Sequence, residues 1–95
     1  MSKILVVDDE FRIRETIKKY AVFEGHQVTE AVDGMSAIEI CNSESFDIII
    51  MDVMMPGLDG FGAVKEIKKI SDIPTIMLSA RGEEYDKLFG FELGI

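Results

Sequence analysis

The sequence is short of cysteine, of basic residues and of long apolar runs, and each shortage removes a class of protein. Its 95 residues include one cysteine, Cys41. No disulfide can close within the chain, and the expected compartment is a reducing one, the cytoplasm. Lysine and arginine number 10 against 18 aspartates and glutamates, giving a formal net charge of -8 and a sequence pI near 4.5. Binding a nucleic-acid backbone needs clustered cations, so nucleic acid is not an expected partner, and an anionic membrane surface is disfavoured on the same ground. No apolar run exceeds four residues, as at 4–7 and 48–51, whereas a membrane span needs about 20. The opening Met1-Ser2-Lys3 leads into one of these short runs and then three acids, a poor match to a secretory leader.

What is present fits one globular domain over 1–95. With 47% hydrophobic and 29% charged residues the chain is neither a disordered tail nor a fibre, and at this length it can bury roughly two thirds of its unfolded surface. Two kinds of segment alternate. Short β-branched apolar segments lie at 4–7, 47–51 and 74–78. Between them run longer segments with apolar residues at helical spacing: Phe11, Ile13, Ile17, Tyr20 and Ala21; then Ala37, Ile38 and Cys41; then Phe61, Val64 and Ile67; and finally Tyr85, Leu88 and Phe89 from Glu83 onward. Strand and helix in alternation predict a parallel sheet wrapped by helices. The segments at 4–7 and 48–51 have no polar side and belong at the sheet centre. The mixed segment at 27–31 suits an edge. Asp33-Gly34 and Asp59-Gly60 place a capping carboxylate before a helix, and Gly25 ends one. Cys41, on an apolar stripe, reads as a core residue.

Chemistry concentrates where strands end. Asp8 and Asp9 follow the first apolar segment, Asp52 follows the segment at 48–51, and Ser79 follows the last. In open α/β sheets ligands bind outside the carboxyl ends of the strands, so neighbouring first and third strands would bring these carboxylates into one pocket. Three close carboxylates repel unless protonated or joined by a cation, and an all-oxygen donor set suits Mg²⁺. A carboxylate beside Mg²⁺ can also attack a phosphoryl group and form an aspartyl-phosphate. Taken singly, each acid reads as a turn or cap residue, and Ser79 as a loop hydroxyl; it is the combination that points to chemistry.

The segments Leu5-Val6-Val7-Asp8-Asp9-Glu10, Asp47-Ile48-Ile49-Ile50-Met51-Asp52-Val53-Met54-Met55-Pro56-Gly57-Leu58-Asp59-Gly60 and Pro74-Thr75-Ile76-Met77-Leu78-Ser79-Ala80-Arg81 resemble the receiver domain of bacterial two-component response regulators. The wording is closest to the branch with a winged-helix DNA-binding output domain. The resemblance implies a flavodoxin-like, doubly wound parallel sheet, here of four strands in the order 2-1-3-4 with four helices. It implies Asp52 as phosphoacceptor and Ser79 as the switch hydroxyl. Mg²⁺ would be held by Asp8, Asp9, Asp52 and the backbone carbonyl of Met54. Pro56-Gly57 would shape the loop beside the acceptor, with Gly57 needed for its backbone angles. A sensor histidine kinase is the implied partner, and the chain would act as a switch rather than an enzyme.

Receivers continue into a fifth strand, with a lysine before a proline, and a fifth helix. The sequence has neither, so it is expected to be a receiver truncated at its C-terminal end, with the strand at 75–78 an open edge. A second reading follows: a phosphorylation-impaired fragment that self-associates or swaps elements through that edge. A third, a hydrolase of the haloacid dehalogenase type, would want a second acid two residues after the nucleophile; that residue is Met54.

Overall fold

The β-branched segments form strands because their stiff side chains suit a pleated, covered surface. The computed structural model describes residues 2–55 and 57–78. Along the chain these form β1 (Lys3–Val7), α1 (Phe11–Phe23), β2 (Gln27–Ala31), α2 (Gly34–Ser43), β3 (Ile48–Asp52), α3 (Gly60–Lys68) and β4 (Thr75–Leu78). The helix expected from Glu83 lies outside the described residues. The strands pair in parallel in the order β2-β1-β3-β4, the order implied by the resemblance, with the polar β2 at an edge.

The step from β1 to β2 crosses the sheet in one direction, and the steps to β3 and β4 cross it in the other. Right-handed crossovers therefore set α1 on one face and both α2 and α3 on the opposite face, where α2 packs against α3. Side-chain alternation follows this division. Leu5, Val7, Ile49, Met51 and Met77 join Ala37 and Cys41 of α2 and Ala63, Val64 and Ile67 of α3 in one buried cluster. Each fully buried Leu or Ile there contributes about 1.5–3 kcal/mol. The alternate residues Ile4 and Val6 are buried on the α1 face.

Two expectations need correcting. The stripe assigned to α1 included Phe11 and Tyr20, but these are 60% and 70% exposed, and no residue of α1 is fully buried. Of that stripe, Ile13, Ile17 and Ala21 are partly covered. The segment at 48–51 was expected to be covered on both sides, but Ile48 and Ile50 are half-buried. Both differences have one cause. Among the described residues α1 alone covers its face, and a helix about 10–12 Å across is narrower than four strands spaced about 4.8 Å apart. β4 pairs only with β3 among the described residues, and its Ile76 and Leu78 are half-buried while Thr75 and Met77 are buried.

The punctuation falls where the sequence puts it. Asp33 caps α2 by accepting the Ser36 N–H at 2.8 Å, and Asp59 caps α3 by accepting the Gly62 N–H at 2.8 Å. Gly25 follows α1 with φ +93°, a left-handed conformation open to glycine at little cost. Among the described residues no helix is long and apolar enough to cross a membrane.

Candidate functional site

β1 and β3 are hydrogen-bonded neighbours with Val7 opposite Met51. The next residue of each strand is an aspartate, so Asp8 and Asp52 leave the sheet at the same end. Both are buried, at 2% and 1% exposure, while Asp9 is exposed. One carboxylate oxygen from each of the three lies within 4.8 Å of the others. At that distance two like charges repel by roughly 3 kcal/mol at an effective dielectric of about 20. A divalent cation turns this repulsion into attraction, and the donors are all hard oxygens, the set that Mg²⁺ or Ca²⁺ accepts. The residues present therefore fit such an ion.

The backbone around the cluster is held in several ways. Asp8 Oδ1 accepts the Glu10 N–H at 2.8 Å, so the carboxylate that a bare sequence reading would make a helix cap closes a local turn instead. The Asp8 N–H donates to the Ala31 carbonyl at 3.2 Å, and the Asp8 carbonyl accepts from Arg14 Nη1 at 2.8 Å. Asp52 Oδ1 accepts the Met54 N–H at 3.3 Å. Beyond the acidic loop, the Gly60 N–H donates to the Val53 carbonyl at 3.0 Å. A Cβ on Gly60 would collide with the Asp52 carbonyl oxygen and lie 2.8 Å from Val53 Cα, so only glycine lets α3 start this close to the end of β3. Gly57 has φ +79°, as expected of a residue chosen for its backbone angles.

The fold thus brings Asp8, Asp9 and Asp52 together, as the strand-end argument requires. Met54, the expected carbonyl ligand, sits two residues beyond Asp52, with its N–H tied to that carboxylate and the residue 52% exposed. Ser79 lies outside the described residues. Neither periodicity nor motif singles out Arg14, whose guanidinium reaches both Asp8 and Glu30. A signal existed in Glu30, an acid inside a strand, with Arg14 and Lys18 four residues apart on the preceding helix to face it.

This geometry, an acidic pocket at the carboxyl ends of neighbouring parallel strands, defines a class. Residues 4–95 match the family described as the response regulator receiver domain, and the chain belongs to that family. Among curated proteins it is similar to the transcriptional regulatory protein CpxR homolog of Haemophilus influenzae, 44% identical over 94 residues that make up 99% of this chain and 41% of that protein. It is also similar to the probable transcriptional regulator ycf27 of Cyanophora paradoxa, 47% identical over 92 residues, 97% of this chain and 38% of that protein. The chain thus spans about two fifths of the length of these relatives. Among solved structures, the response regulator TrrA of Thermotoga maritima in complex with Mg(2+)-BeF aligns with a TM-score of 0.82 at 36% identity, covering 99% of this chain and 78% of that one. The chemotaxis protein CheY4 of Vibrio cholerae aligns with a TM-score of 0.82 at 34% identity, covering 95% and 78%.

Proposed function

We propose that the chain is a phosphoacceptor module of a two-component system. Asp52 takes a phosphoryl group from a sensor histidine kinase, with Mg²⁺ held by Asp8, Asp9, Asp52 and the Met54 carbonyl. The observation that carries this reading is the convergence of two buried carboxylates and one exposed carboxylate within 4.8 Å. Family membership and the Mg(2+)-BeF complex of TrrA support it.

In the transfer, a carboxylate oxygen of Asp52 attacks phosphorus, and the bond from phosphorus to the donor imidazole breaks. The electron pair stays on the leaving nitrogen, which takes a proton, and an acyl phosphate remains on the chain. The Met54 N–H orients the acceptor carboxylate, and the burial of Asp52 limits access of water to it. When bound, Mg²⁺ supplies neutralisation of charge on the transferring group. Ser79 would meet a phosphoryl oxygen and start a conformational change, so the chain acts as a switch rather than as a catalyst.

The test is incubation with phosphoramidate, a small donor with the P–N bond of phosphohistidine, read by intact mass. The parent chain gains one phosphoryl group with Mg²⁺ and none when the metal is chelated, and Asp52→Asn gains none. Equal labelling of parent and variant would remove Asp52 from the role.

A further inference from the structure

Arg14 occupies the first turn of α1, five residues past Asp9, and its side chain is only 11% exposed. A guanidinium this deeply covered needs its hydrogen bonds met, and two are. Nε donates to Glu30 Oε1 on β2 at 2.9 Å, and Nη1 donates to the Asp8 carbonyl oxygen at 2.8 Å. Lys18, one turn further along α1, pairs with the other Glu30 oxygen at 3.5 Å. The Arg14 guanidinium also lies 5.7 Å from the Phe11 ring centroid. One side chain therefore joins α1, β2 and the loop that carries two of the three clustered carboxylates.

The effect on Asp8 is specific. Its backbone is held from both sides, by Ala31 on the amide and by Arg14 on the carbonyl, and one carboxylate oxygen is turned by the Glu10 N–H. Mutual repulsion among Asp8, Asp9 and Asp52 opposes their convergence unless a cation or proton offsets it. A planar guanidinium can bridge a carboxylate and a carbonyl at the same time, which a lysine ammonium on a flexible stem does less well.

We infer that Arg14 is a positioning residue for the acidic site, clamping the Asp8 backbone to Glu30 so that the carboxylates stay converged and ready for a divalent cation. The inference rests on the reading of that cluster as a cation site. Groups that orient a metal's ligands are commonly worth 10- to 100-fold in metal affinity, and that is the loss expected here.

The experiment is a Mg²⁺ titration followed by the amide resonances of Asp8, Asp9, Asp52 and Met54, for the parent chain, Arg14→Gln and Arg14→Lys, with Asp33→Ala as a control. Asp33 caps α2 through the Ser36 N–H and is not one of the clustered acids, so it reports what a loss of stability alone does. The same spectra show that each variant is folded. The expected result is affinity about 10-fold or more weaker in Arg14→Gln, a smaller loss in Arg14→Lys, and parent affinity in the control. Parent affinity in both Arg14 variants would overturn the inference and leave the functional reading in place. Equal weakening in Asp33→Ala would reduce Arg14 to a structural role. Absence of Mg²⁺ binding by the parent chain would overturn the functional reading and the inference together.

Discussion

Asp33 precedes α2 and accepts the Ser36 backbone N–H, one of the four donors a helix start leaves open. That hydrogen bond, with a further one from the Ser36 hydroxyl, holds its carboxyl below the ordinary value, against a small opposing push from burial. A carboxyl with a depressed folded-state pKa adds stability that is full above the unfolded-state value and is lost as pH falls through the folded one. Asp33→Ala is therefore expected to cost about 1 kcal/mol near pH 7. The gap between variant and parent should begin to narrow as pH drops below about 4, as urea melts at pH 7 and pH 3 would read. Cys41 runs the other way. Burial, and then the nearby Glu44 charge, push its thiol above the ordinary value, so it stays protonated and inert in the α2–α3 core, in keeping with its apolar setting.

At the scale of elements, α3 shows how a close backbone approach sets a helix. Its first residue, Gly60, lies against the Asp52 carbonyl and Val53 Cα, whereas Gly62 faces the flexible tip of Leu58, with Cδ1 2.7 Å from a built Cβ. Gly60→Ala must push α3 away from β3 and is expected to cost about 1–3 kcal/mol. Gly62→Ala gains up to about 1 kcal/mol of helix propensity, offset by moving one leucine, and should lie near zero. Paired denaturant melts check the contrast. Much of the element plan was legible. Chain order, both aspartate caps, the polar edge strand at 27–31 and the strand-end aspartates follow from period, cap chemistry and composition. The coverage of α1 did not. Periodicity selects Phe11, Ile13, Ile17 and Tyr20 as a face, but it says nothing about how much neighbouring surface exists to bury that face. Arg14 was missed for a related reason. A cation on a helix ordinarily reads as solvated, and only the crossover that lays α1 beside Glu30 turns it inward.

At the scale of the whole molecule, a chain with a net charge of -8 places three of its carboxylates within 4.8 Å at one end of its sheet. Such a concentration of like charge opposes folding, and a fold that keeps it points to use of the charge. The central claim is that one of the three, Asp52, forms the acyl phosphate while all three help to hold the cation. The most direct measurement is to phosphorylate the chain with Mg²⁺ present and trap the product with hydroxylamine. Hydroxylamine displaces phosphate from an acyl phosphate and leaves a hydroxamate on the acceptor. Peptide mass analysis then locates the modified residue. The expected result is a hydroxamate at Asp52 and at no other carboxylate, with none formed when Mg²⁺ is omitted. A hydroxamate at Asp8 or Asp9, or one formed equally well without Mg²⁺, would contradict it.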